Sequence, residues 1–291
     1  MSATLADAVA ASLDRPVAAP VRAFAEMLGS EAGAVAVLFY GSNLRTGSLD
    51  GVLDFYVLTD GRRERGLWPR VGYREWQGLR AKIATMTLAT FADAAADRTI
   101  DTTIWTRFVQ PATLAWATPA GRTSVEAAIA AAAVTAGRYA AALGPGEGQA
   151  ADYWRALFRA TYAAELRVEA KGREEQILEV HGDHLASLLL LAWQAGGIAF
   201  GTLGQAAYAV TLAPAERTRI LARWRRRRRL GRPLNIVRLV RAAFTFEGAA
   251  RYAAWKIERH TGVAVPITPF RERHPVLAAP GVLWRVWRAR A

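Results

Sequence analysis

Apolar residues recur at helical spacing through residues 3–28, and Pro16 and Pro20 interrupt the pattern, which predicts one or two amphipathic helices. The spacing then tightens. The unbroken run AVAVLFY at 34–40, closed by Gly41, predicts a buried strand. After a polar loop, GVLDFYVLT at 51–59 predicts a second strand, rich in Val, Phe and Tyr and bounded by Gly51 and Gly61. One carboxylate, Asp54, stands inside it. Residues 80–97 begin as a short strand and continue as a helix, and 103–117 read as strand up to Pro111. An alanine-rich helix covers 123–143 and stops at Leu143-Gly144-Pro145-Gly146, a hinge or linker. From 151 onward helical spacing dominates, and no internal repeat is visible. The expected fold class is α+β. A mixed sheet flanked by helices fills a domain at 1–145, and a mostly helical domain follows at 146–291.

Composition narrows the function. With 291 residues, 52% of them hydrophobic, the chain can bury a sizeable core. It has no cysteine, which excludes disulfides, thiolate zinc sites and a cysteine nucleophile. A net charge of +13 points to an anionic partner: nucleic acid, nucleotide or an acidic membrane surface. The first residues lack the basic start of a signal peptide and carry Asp7 and Asp14, too acidic for a transit peptide. With the alanine and arginine bias of a GC-rich genome, they imply an intracellular bacterial protein.

Two later segments carry competing readings. Residues 185–215 hold no charge and are long enough to enter a bilayer. Interruptions at Gln194, Gly196, Gly197, Gly201, Gly204 and Gln205 favour a buried helix followed by a loop. The C-terminal part is strongly basic, with Arg225, Arg226, Arg227, Arg228 and Arg229 in succession and a tail, VLWRVWRARA, that alternates Trp284 and Trp287 with arginine. It reads as a solvated basic face, as a nucleic-acid surface or as an interfacial anchor. The anchor is favoured because Trp and Arg in short amphipathic stretches suit the headgroup layer. No nucleic-acid partner is then expected.

The chemistry concentrates in YGSNLRTGSLDGVLDF at 40–55. A strand ending in Gly-Ser offers backbone N–H groups to an anion, and a carboxylate on the next strand can hold magnesium beside the same phosphates. This plan resembles that of the DNA polymerase β-type nucleotidyltransferases. That superfamily pairs two aspartates one residue apart, whereas here Val52 and Tyr56 occupy those positions. Asp50 lies four residues from Asp54, about 13 Å along a regular strand, so sharing an ion requires a turn there. A buried aspartate paired with an arginine is the plain structural alternative.

A narrower resemblance is to the mitochondrial translocator assembly and maintenance family, phosphatidate cytidylyltransferases with bacterial relatives. Tyr40, Gly41, Ser42, Leu53, Asp54 and Phe55 match its signature, and Asp60 falls where it carries an acid. Lys82 matches its strand lysine. Arg107 and Pro111 match a later segment, in which Thr106 and Gln110 depart. Tyr162 and Arg167 match another, with Glu165 in place of the acid. The stretch between Asp60 and Lys82 is shorter than in the mitochondrial members, where a substrate loop would lie.

The resemblance implies transfer of CMP from CTP to phosphatidic acid, giving CDP-diacylglycerol and pyrophosphate with Mg2+ as cofactor. Tyr40, Gly41, Ser42 and Lys82 would bind the nucleotide. Asp54, Lys82 and Arg107 would be catalytic. Asp54, Asp50 and Glu165 would hold the metal, and Arg167 and Tyr162 would meet the lipid phosphate. The basic C-terminal region would dock the enzyme peripherally on the inner face of an anionic membrane. Plain alternatives remain for each: Lys82 at an exposed strand end, Arg107 paired with Asp101 or Asp93, Glu165 and Arg167 on a solvated helix face. His181, Asp183 and His184 do not have a zinc spacing. The rival functions are transfer to a soluble acceptor, nucleotide binding without turnover, and a non-enzymatic basic binding protein.

Overall fold

The computed structural model describes residues 3–66, 68–164, 172–245, 254, 257–258, 261–273 and 275–288. Thr4 starts helix α1 (Leu5–Leu13) with a capping box, its side chain bonding the Asp7 amide while Asp7 returns to the Thr4 amide. Helix α2 (Ala19–Ala32) carries Pro20 in its first turn, where a missing N–H is harmless, so Pro20 begins a helix rather than breaking one. Strand β1 (Ala34–Tyr40) follows, then the one-turn helix α3 (Ser42–Thr46) and strand β2 (Val52–Thr59). Strands β3 (Arg70–Trp76) and β4 (Leu79–Thr87) form a hairpin that leads into helix α4 (Leu88–Ala95).

The segment at 103–117 departs from the expected strand. Residues Thr103–Arg107 form helix α5, and strand β5 (Ala112–Ala117) begins only after Pro111. The Asp101 carboxylate accepts bonds from the amide and hydroxyl of Thr103, at 2.9 and 2.6 Å, and so fixes the first turn of α5. The stretch between Asp60 and Lys82 is also more ordered than a shortened loop. Gln77 (φ 49°) and Gly78 (φ 77°) make a two-residue turn with both φ positive, which is what a tight hairpin requires.

The five strands lie in the order β3-β4-β2-β1-β5. The β2–β4 pair is parallel and the other three pairs are antiparallel. One face, bearing Val37, Phe39, Phe55 and Val57, packs on α2 with Phe24 and Leu28. The other, bearing Leu38, Tyr56, Leu58 and Met86, packs on the main helical core. Burial on both faces explains why β1 and β2 read as continuous apolar runs.

Helix α6 (Pro119–Leu143) is the centre of that core. Its alanines and Gly137 let helix α8 (Arg173–Ala195) approach closely: a Cβ on Gly137 would stand 3.1 Å from the Ala192 methyl, and the Trp193 indole donates to the Gly137 carbonyl at 2.9 Å. Helix α7 (Ala150–Ala164) packs beside both. The connection at 143–146 is a short turn tied to helix α9 (Pro214–Thr245) by Arg217, which donates to the carbonyls of Ala142 and Gly144. The apolar core runs unbroken across it, from Leu5 to Trp224.

The uncharged stretch at 185–215 contains the end of α8 and then a hairpin of strands β7 (Ala199–Leu203) and β8 (Ala207–Thr211). With β6 (Glu147–Gln149) these make a small antiparallel sheet in the order β6-β8-β7. Among the described residues no helix is long and apolar enough to cross a membrane. Helices α10 (Pro269–Arg273) and α11 (Pro275–Arg288) follow in the helical C-terminal region.

Candidate active site

Strand register builds the site. Tyr40 on β1 faces Asp54 on β2, Asp54 faces Lys82 on β4, and Lys82 faces Tyr73 on β3. Directly opposed residues share a sheet face, so an aromatic ring, a carboxylate and an ammonium stand side by side across three central strands. At this edge the sheet opens into a cleft of about 820 Å³.

Gly41 sets the approach to Asp54. Its φ of 91° and ψ of −161° lie in a region open essentially to glycine alone, and an added Cβ would stand 3.1 Å from Asp54 Oδ2. The next turn is pinned from below by buried Asn43, whose amide nitrogen donates to the carbonyls of Ser48 (2.9 Å) and Asp50 (2.8 Å). Ser48 donates to Asp50 Oδ2 at 3.2 Å and accepts from the Asp50 amide at 3.0 Å. The loop between the strands therefore turns, as sharing an ion requires, and Asp50 and Asp54 line the same cleft.

Arg107 enters from the end of α5. Its guanidinium lies 5.0 Å from the Tyr40 ring centroid and bonds the Tyr40 hydroxyl. Phe108, next in sequence, packs edge-on against Tyr40, Tyr56 and Phe91, which fixes the helix end that carries the arginine. Burial holds the Tyr40 phenol well above its ordinary pKa against the opposing pull of Arg107. Burial likewise pushes Tyr56 up to about 12. Both phenols stay protonated at neutral pH. Of the carboxylates suggested as partners for Arg107, Asp101 pairs with Arg238 at 2.9 Å, and Asp93 with Arg63 and Arg98 at 3.1 and 2.6 Å.

Tyr40, Gly41, Ser42, Asp50, Asp54, Lys82, Arg107 and Tyr162 thus meet on one cavity, although they come from residues 40 to 162. Glu165 and Arg167 lie outside the described residues. Sequence reasoning missed Arg15, Arg45 and Arg173, which line the same cleft, and it weighed His181, also on the lining, only as a zinc ligand. Arg45 lies within the 40–55 stretch but outside its Gly-Ser and Asp signature, and only the packing of the α1–α2 connection, α3 and α8 brings these residues together. His184 is turned away, its Nε2 at 3.0 Å from the Val109 carbonyl.

Among the described residues no group of three or more His, Asp or Glu forms a metal cluster. Two carboxylates, one beside a glycine that leaves room at its oxygen, fit magnesium, which binds through one or two carboxylates and fills its other positions with water and substrate phosphate.

The arginine run needs one correction. Arg225, Arg226, Arg228 and Arg229 are exposed, but Arg227 is buried and cannot face a membrane. Its guanidinium pairs with Asp97 at 2.6 Å and also bonds the Thr99 carbonyl and the Tyr139 hydroxyl. Helical periodicity produces this: five consecutive residues circle the helix, so one of them faces the core. Trp284 and Trp287 on α11 are 57% and 68% exposed.

No protein-family model matches the chain, and no curated protein matches it.

Proposed function

We propose that the protein is a magnesium-dependent nucleotidyltransferase that moves CMP from CTP to phosphatidic acid, giving CDP-diacylglycerol and pyrophosphate. The observation that carries this reading is the convergence of Asp54, Lys82 and Arg107 with Gly41 and Ser42 on one cleft. The cleft also has an apolar wall, formed by Phe158, Ile177 and Val180, which suits the ester-bearing part of a lipid acceptor better than a sugar.

A phosphate oxygen of phosphatidic acid attacks the α-phosphorus of CTP. One P–O bond forms, the bond to the β-phosphate oxygen breaks, and pyrophosphate leaves with the electron pair. The nucleophile is already anionic near neutral pH, so no general base is required. Catalysis rests on positioning and on neutralising charge. Gly41, without a side chain, lets the nucleotide phosphates approach the backbone beside Asp54. Lys82 and Arg107 offset the charge that builds on the leaving pyrophosphate. Asp54 and Asp50 would hold magnesium, which when bound supplies electrostatic stabilisation between the phosphates.

The test is turnover. Purified protein is incubated with labelled CTP, magnesium and phosphatidic acid vesicles, beside Asp54→Ala. Labelled lipid from the wild type alone is expected. Labelled product only with water-soluble acceptors would replace the lipid acceptor while keeping the transfer chemistry. No product with bound nucleotide would leave a catalytically inactive relative.

A further inference from the structure

The cleft holds more positive charge than its nucleotide end uses. Beyond Lys82 and Arg107, it is lined by Arg15 from the α1–α2 connection, Arg45 from α3, Arg173 from the first turn of α8 and His181 from further along α8. Among the described residues, the carboxylates on its lining are Asp50 and Asp54. The acids nearest Arg15 and Arg173 in sequence are engaged away from the cleft. Asp14 binds Arg122 at 2.7 Å, Glu174 binds Arg159 at 3.0 Å, and Glu175 binds Arg155 at 2.8 Å. Among the described residues no carboxylate pairs with Arg15, Arg45 or Arg173; Arg173 donates instead to the neutral Gln176 at 2.8 Å.

The backbone is adapted at the fourth member. His181 is the one residue inside α8 with non-helical angles, φ −120° and ψ 17°, so the helix breaks where its imidazole meets the cleft. The surrounding charge is felt there. Burial, then His184, Arg45, Arg15 and Arg173, push the His181 pKa down to about 4. An excess of like charges gathered in a concave site focuses a positive potential into it.

We propose that Arg15, Arg45, Arg173 and His181 form a second phosphate subsite, which takes a phosphomonoester dianion. Its role as the seat of the acceptor phosphate rests on the nucleotidyl-transfer reading above; the binding itself does not. Guanidinium groups suit this ligand because they donate paired bonds to phosphate oxygens. A bound dianion would also give the imidazolium a partner, so His181 would take up a proton on binding.

The test is equilibrium binding to the full chain, without turnover. Separate titrations use glycerol 3-phosphate, phosphatidic acid vesicles, phosphatidylglycerol vesicles as a phosphodiester control, and CTP. In the double variant Arg45→Gln/Arg173→Gln, both phosphomonoester probes should weaken at least about tenfold, while CTP and the control vesicles move less than about twofold. Loss on both probes identifies the phosphomonoester itself as the ligand. Loss confined to phosphatidic acid vesicles identifies the lipid headgroup as its source, and either outcome supports the subsite. Unchanged binding of both probes, or no saturable binding of them by the wild type, overturns it. An equal loss of CTP would assign the residues to the triphosphate, an equal loss on control vesicles would reduce them to surface charge, and both would also overturn it. Both arginines are exposed, so matching thermal melts check that the variant is folded, and Arg15→Gln gives an independent, smaller loss. His181→Gln should abolish the proton uptake, with the phosphate's own ionisation cancelled by comparison with wild type. Because nothing here requires turnover, a negative transfer assay and a negative subsite result are separate findings.

Discussion

At the scale of single residues, the site depends on what Gly41 lacks. Its backbone angles are closed to other residues, and the space a Cβ would take lies against Asp54. Gly41→Ala should therefore cost about 1–3 kcal/mol of stability through backbone strain. It should also displace the Asp54 carboxylate, so the proposed CMP transfer should fall further than the loss of folded protein explains. Thermal melting and initial rates on the same preparation separate the two, and an unshifted melt would contradict the backbone geometry. The pairing of Gly41-Ser42 with Asp54 was legible in the sequence because a carboxylate in an apolar strand is anomalous without a chemical role. The partnership of Asp50 was half legible: strand spacing puts it too far away, and the turn that brings it to the cleft is held by Asn43, a residue with no anomaly of its own. Arg15, Arg45 and Arg173 were not legible at all, since exposed arginines are common in so basic a chain and only tertiary packing distinguishes these three.

At the scale of elements, apolar runs that are buried on both faces announced β1 and β2 almost residue for residue. Strand β3 was missed because RVGYREW is half exposed at a sheet edge and carries no continuous apolar run. Helix α5 was misread because Ile, Trp and Phe favour strands, and the Asp101 carboxylate, which accepts from the Thr103 amide at the start of the helix, lies just outside the run. Helix α9 shows how position on an element changes the meaning of one residue type. Asp97→Asn keeps the size of the side chain and its tolerance of the positive φ (65°), but leaves Arg227 as a buried cation without its counter-charge. The expected loss is about 3–5 kcal/mol, against no more than about 0.5 kcal/mol for exposed Arg225→Gln, both read by denaturant unfolding. Equal effects would mean that α9 is not docked through Arg227. A second pair docks the same helix and makes the fold acid-sensitive. Burial pushes the Asp101 carboxyl up, but Arg238 and the Thr103 donors outweigh it, so its pKa in the folded protein lies below the ordinary value of 3.8. The resulting stabilisation is complete above about pH 4 and is lost as the pH falls through the lower folded value. Melting temperatures taken downward from about pH 5 should fall less steeply in Asp101→Asn than in the wild type across that window.

At the scale of the whole molecule, a net charge of +13 is spread unevenly, and the uneven part bears on the proposed lipid substrate. Asp97 and Asp101 neutralise Arg227 and Arg238 internally, while Arg225, Arg226, Arg228 and Arg229 remain exposed on α9. Helix α11 packs on α9 and exposes Leu277 (70%), Trp284 and Trp287, with Arg288 lying 5.3 Å from the Trp284 ring centroid. If this surface docks on an anionic bilayer, charge and insertion should be separable. Each exposed arginine contributes about 1 kcal/mol near the surface, so replacing the four with glutamine should weaken attachment to anionic vesicles and flatten its salt dependence. Raising salt from 0.1 to 1 M, which shortens the screening length from about 10 to about 3 Å, should weaken wild-type attachment in the same way. Trp284→Ser/Trp287→Ser should instead keep the salt dependence and lower affinity at every salt concentration, because it removes the groups that enter the headgroup layer. Both variants should retain the soluble-phase binding of CTP. Co-sedimentation with vesicles across a salt series reads all three curves. Two tryptophans that prove silent at every salt concentration would remove α11 from the docking surface and leave attachment to the arginines alone.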